Sequence, residues 1–320
     1  MRSIPLAVLI TFGILIALFL LRTPVALRQP QQRPAWIATG AGILGLLTVG
    51  AVVPLEDIDA LLGGANIVSL GKTVLPTIAF WFLRDAIRLQ ISPPRPRGNR
   101  LVLLTLVVAQ VIAFVLVPSR EGTDENFVNH AVLWPAGLIW ALLYTGGVLW
   151  IAATAAVEAF SIFKSVFGLF VIGAFMIGAA CLALAIHCVL VFARVLPPRS
   201  DDALTTMFAL FFYTGIVFAA FGFVVLVTRE LAWRAHLLRL LRINRLYPSS
   251  QGGYDVPQVG GPFTGSPESA AYIVLMKIRD RQLLDSIELS SGHERIVSRI
   301  ERRMSRTLVL RNFESGSGER

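Results

Sequence analysis

Long apolar runs, broken by short connections rich in arginine or in acid, follow one another through the first 228 residues. A helix that crosses roughly 30 Å of hydrocarbon needs about 20 mostly apolar residues. Seven runs approach or meet that length: Ile4–Leu21, Trp36–Leu55, Ile67–Leu83, Leu101–Val117, Val132–Val157, Val166–Val191 and Ala203–Val227. The pattern predicts an all-α polytopic membrane protein, with residues 1–228 forming a bundle of seven transmembrane helices. Beyond it, RELAWRAHLLRLLRINRLYP keeps a helical reading without a clean apolar face, which predicts an Arg-rich juxtamembrane stalk over 229–247. Residues 248–267 are dense in Gly and Pro, the composition of a linker with no packed core of its own.

Two cytosolic helices are expected in 268–311. Ser266 would cap the first, with Pro267 at its first helical position. Ser291 and Glu294 have the Ser-x-x-Glu spacing of a capping box at the start of the second. In that helix Ile296, Val297, Ile300, Met304 and Leu308 line one face, while Arg295, Arg299, Arg302, Arg303 and Arg306 stand largely elsewhere. Fewer than fifty residues bury little core by themselves, so the pair is expected to dock on inner loops, on a second copy or on a partner. Ile278, Arg279, Asp280, Ile296, Ile300 and Met304 are the candidate docking residues. Residues 312–320 read as a disordered tail.

Charge gives the expected orientation, because membrane-proximal cytoplasmic loops collect Lys and Arg. Arg22, Arg28 and Arg33, then Arg84, Arg88, Arg95, Arg97 and Arg100, then Lys164, then the arginines after the seventh run all fall on one side. The opposite connections carry EDID, REGTDEN and PPRSDD. The N-terminus is therefore expected outside and the C-terminus in the cytoplasm, the chain lying in the cell membrane. Cleavage of the first run as a signal peptide would invert that pattern, so it is taken as a retained helix. Composition agrees: 55% of residues are hydrophobic and 15% charged, and the mean hydropathy is +0.68. The net charge of +9 does not point to nucleic acid, since residues 249–320 hold ten basic and nine acidic side chains. The excess sits on the membrane part and its inner loops, where anionic inner-leaflet lipid is its expected partner.

The stretch GGANIVSLGKT, Gly63 to Thr73, ends like a nucleotide-binding loop. A phosphate loop needs glycine five positions before Gly71, and Asn66 stands there. Lys72 is the strong charge within a predicted span, and intramembrane ionisable groups are functional candidates. Its plainer roles are to reach out to the interface or to pair with an acidic outer loop; a ligand or gating role with Pro76, which removes a backbone donor from the same helix, is the sharper one. His187 in the sixth span is a third candidate, with a hydrogen bond to another helix as the plainer reading. Ala174, Gly178, Cys181 and Ala185 on the sixth span form a small-residue stripe, as do Gly42 and Gly45 with Ala38 and Ala41 on the second. Both read as helix-packing seams. Cys181 and Cys188 lie seven residues apart on one helix, about 10 Å in rise, beyond disulfide reach. HERIV at His293 lacks the second histidine of a zinc helix. No metal, cofactor or catalytic set is expected.

The succession of seven spans, an Arg-rich stalk ending in Arg245-Leu246-Tyr247-Pro248, a loose linker and a helix containing Ile278-Arg279-Asp280 resembles a family of actinobacterial multi-pass membrane proteins. These are loosely labelled transporters and end in a small cytosolic domain of unassigned function. Ser249 and Ser250 stand where that family tends to have a Leu-Trp pair. The resemblance implies membrane localisation and a neighbouring regulatory protein, and no mechanism. The capped helical pair on a tether makes a sensor, signalling or scaffolding partner the first expectation. A transporter or channel subunit with a site near Lys72 and Pro76 is the alternative.

Overall fold

The computed structural model describes residues 3–50, 52–90, 98–118, 120, 123–124, 127–161, 168–197, 203–247, 267–283 and 287–315. The expected linker, the SPPRPR segment, Lys164 and the Ser266 cap lie outside the described residues. What is described is helical, without strands. It divides into two compact units, Met1–Val224 and Val225–Arg320.

The first unit holds α1 (Ser3–Arg28), α2 (Arg33–Leu47), α3 (Leu55–Leu61), α4 (Ile67–Gln90), α5 (Arg100–Val115), α6 (Phe127–Ala131), α7 (Pro135–Ser161), α8 (Gly168–Phe192) and the N-terminal half of α9 (Ala203–Leu246). Five of these, α1, α4, α7, α8 and α9, are long and apolar enough to cross a membrane. The second and fourth expected spans are shorter than their runs. α2 stops at Leu47, not Leu55; Gly50 turns the chain at φ +82°, and Leu55 opens the separate helix α3. α5 has 16 residues, about 24 Å of rise. α1, by contrast, runs through Pro24 to Arg28, past the expected end at Leu21. α7 begins at Pro135, where a missing N–H costs nothing.

α4 packs against α2, α5 and α7, and α7 lies along α8. α8 and α9 meet at bare backbone: a methyl added at Gly215 would stand 2.8 Å from the Gly173 oxygen. Apolar side chains also cover the outside of the bundle, with Phe175 76%, Val157 70% and Phe160 69% exposed. An exterior of that kind suits hydrocarbon and not water.

The second unit contains the C-terminal half of α9 with α10 (Pro267–Leu283) and α11 (Ser291–Ser315). The stalk does have an apolar stripe. Trp233, Leu237, Leu240 and Ile243 join Ala271, Val274, Leu275 and Ile278 of α10 and Val297, Ile300 and Met304 of α11 in one core. Spacings of four and three place those stalk residues on one helix face, with the arginines around the remainder. The helical pair thus packs on the stalk, and the third helix supplies the core that two could not. α11 continues to Ser315, past the expected tail boundary at Asn312, because no glycine interrupts it before Gly316.

Candidate functional site

The first unit holds a partly open cavity of about 340 Å³ whose wall includes both Lys72 and Pro76. Gly42 and Gly45 of α2 line it as well, as do Tyr144 of α7 and Tyr213 of α9. Its volume falls at the low end of small-ligand pockets. Lys72 is the charged side chain among its described lining residues, and the remaining wall is largely apolar, with Phe80, Trp140, Phe208, Phe212 and Phe223 set among more numerous aliphatic and small residues. Trp140 Nε1 donates to Thr73 Oγ1 at 3.2 Å, and Thr73 Oγ1 donates to the Leu70 carbonyl at 2.9 Å. That chain satisfies two buried polar groups and fixes the wall one residue from Lys72. Pro76, lacking an N–H, gives no helical hydrogen bond to the Lys72 carbonyl.

The α2 seam has two jobs. A methyl on Gly45 would touch Leu75 and Pro76 at 3.6 Å, so α2 and α4 run close together there. Gly42 faces Leu15 and otherwise opens onto the cavity. On α8, Cys181 is buried with Tyr144, Val148 and Ile177, and Ala174 packs against that cluster. Gly178 meets Leu149, whereas Ala185 is only half-buried. The tightest approach on α8 is at Gly173, one residue before the expected stripe. His187 is fully buried and does not line the cavity; its Nε2 lies 3.2 Å from Asn129 Oδ1 near α6. Of the three ligand candidates, the structure brings Lys72 and Pro76 together and leaves His187 apart.

Two polar clusters frame the bundle, both missed from sequence. At the Gln90 end of α4, Glu158 is 6% exposed and accepts from Arg88 Nε and Nη2 at 2.7 to 2.9 Å. Arg84 reaches the same carboxylate at 3.4 Å and stacks over Trp81 and Trp150. Glu158 is therefore a buried carboxylate shared by two arginines of α4. At the Ile67 end, buried Asp59 accepts from the backbone N–H groups of Asn66 and Val68 and from Thr123 Oγ1. It caps α4. Asn66 at φ +53° and Gly63 and Gly64 at φ +101° and +68° turn the chain into that cap, which is what the glycines of GGANIVSLGKT do.

In the second unit, Ile278, Ile300 and Met304 are core residues and Ile296 packs against that core, so these four are not a free docking face. Arg279 donates to Glu294, Glu301, Gln282 and Ser298, tying α10 to α11, while Asp280 is exposed. Glu294 does not fold back as in a capping box. Ser290 Oγ caps α11 instead, accepting from the His293 N–H at 3.4 Å, and His293 Nδ1 lies 3.0 Å from the Tyr247 hydroxyl. α10 turns Tyr272, Ile273 and Met276 outward, each more than 40% exposed.

Fold and site together define an all-helical membrane protein with a largely apolar cavity in its first unit and three packed helical segments in its second. Comparison with protein-family models, curated proteins and solved structures finds no match for the chain.

Proposed function

We propose that this chain is a seven-pass cell-membrane sensor with its N-terminus outside and its C-terminus in the cytoplasm. The bundle binds a small amphipathic molecule in the Lys72 cavity, and the three-helix unit presents the protein to a cytosolic regulatory partner. The cavity carries this reading: about 340 Å³ with a mostly apolar wall that includes Lys72 suits an apolar body bearing an anionic or strongly polar group. α2 and α5 serve as the two further passes, each packed on a longer helix. The arginines on one side of the spans support the orientation. The same layout carries the proposed likeness to actinobacterial multi-pass proteins.

Full-length protein in nanodiscs, titrated with a panel of aromatic and aliphatic carboxylates and their neutral amides, tests the binding. A carboxylate should raise the unfolding temperature, and Gly42→Leu, which fills the cavity from α2, should weaken that ligand about tenfold or more. Equal, negligible response to every panel member, with and without Gly42→Leu, would remove the cavity as a ligand site. Cross-linking from the exposed Tyr272 face in native membranes should capture one soluble protein repeatedly, and self-contacts alone would count against signalling.

Pro76 in the cavity wall favours a second reading, transport, because carriers often place interrupted helices around their site. Reconstituted vesicles in which the binding ligand also crosses the membrane, with flux lost in Lys72→Ala, would select it.

A further inference from the structure

We infer that the arginine stripe of α11 is a docking surface for acidic phospholipid, a site separate from the bundle cavity. Arg295, Arg299 and Arg302 recur at spacings of four and three, which places them on one helix face. All three are exposed. A stripe of exposed cations on the helix face turned away from the unit's core is the pattern of a surface that meets anionic lipid headgroups.

The structure separates the charges of α11 by face. Its two acids in the described helix core, Glu294 and Glu301, both accept from Arg279 of α10. They are thereby held at the α10 contact. Arg295 and Arg302 bond only locally, each Nε donating to a carbonyl of its own helix, Ser291 at 3.1 Å and Ser298 at 3.3 Å. Among the described residues no carboxylate pairs with Arg295, Arg299 or Arg302. The outer face is thus cationic although residues 249–320 are nearly neutral in sum.

Lipid is the occupant the chain itself argues for. Five of its helices are apolar enough to cross a membrane, so α11 is tethered to a bilayer and meets phospholipid at high effective concentration. Guanidinium groups pair with phosphate through two parallel N–H bonds, and juxtamembrane basic clusters select anionic leaflets. A soluble polyanion would have no such tether.

Gly292→Cys offers a labelling point in open space at the start of α11, and the native cysteines are buried. The full chain carrying a fluorophore there is placed in nanodiscs of phosphatidylcholine, or of phosphatidylcholine with phosphatidylserine, each with a headgroup quencher. Quenching should be stronger by several fold in the anionic discs and should fall as salt rises. It should be lost in R295Q/R299Q/R302Q and largely kept in R295K/R299K/R302K, which preserves charge. R299Q alone, a single exposed change, should give an intermediate loss. Equal quenching in both lipids, or anionic quenching untouched by the triple Gln variant when its unfolding temperature is unchanged, would overturn the proposal. So would a response to heparin or RNA in solution without one to phosphatidylserine.

Discussion

Glu158 holds two arginines from one turn of α4, and that asymmetry sets what its loss should do. Glu158→Gln leaves buried Arg84 and half-buried Arg88 without the carboxylate they share, whereas Arg88→Gln still leaves Arg84 within 3.4 Å of it. Breaking such a pair by removing its shared partner costs about 3 kcal/mol or more. Thermal unfolding in detergent should rank Glu158→Gln well below Arg88→Gln, and equal losses would mean that Arg84 gains nothing from Glu158. Glu158 directly follows the fifth apolar run, which ends at Val157. Lys72 was legible because a lone cation in an apolar run stands out along the chain. Glu158 was not, because its partners are some seventy residues away and cross-helix pairing leaves no period to read. Asp59 was hidden for the same reason: its duty as the cap of α4 depends on a turn at Asn66, not on a fixed spacing.

Helix existence was plain from apolar run length, but helix limits depended on local chemistry. α9 outran its apolar segment because nothing in RELAW breaks a helix, and α1 ran on to Arg28 despite Pro24, while α2 stopped short at the Thr48–Gly50 turn. The stalk face was missed because Trp233, Leu237, Leu240 and Ile243 are diluted by arginines whose stems share the helix surface. Small-residue stripes located the packing helices but not the point of closest approach. That point is Gly215 against Gly173, and it yields a sharp expectation. Gly215→Ala puts a methyl 2.7 Å from Ile177 Cγ1 and 2.8 Å from a backbone oxygen, so α8 and α9 must separate. The cost should be about 1–3 kcal/mol. Gly146→Ala, where the added methyl meets nothing within 4 Å, should match the parent protein in the same unfolding assay.

At the scale of the molecule the two units answer to different conditions. The Arg279 hydrogen bond, helped by Gln282 and Ser298, holds the Glu294 carboxyl below its ordinary value of 4.5, against a smaller opposing effect of burial. A lowered folded value means that this link contributes fully above the unfolded value and is lost as pH falls through the folded one. Hydrogen exchange of residues 267–305 in the intact protein should therefore be unchanged from neutral pH down to the ordinary glutamate range and should quicken below it, after correction for intrinsic rates. In Glu294→Gln that acid-dependent step should shrink. The bundle brings a different consequence through α5. Its 16 residues stand beside the 27 of α7, and Leu101, Leu104, Ile112 and Leu116 are more than half exposed along it. With α5 as one of the proposed passes, acyl chains beside this low stretch of the perimeter would have to shorten or splay to match it, at a fraction of a kcal/mol per Å. The protein should accordingly prefer thin bilayers, and membrane thickness becomes a lever on how α5 leans against α7.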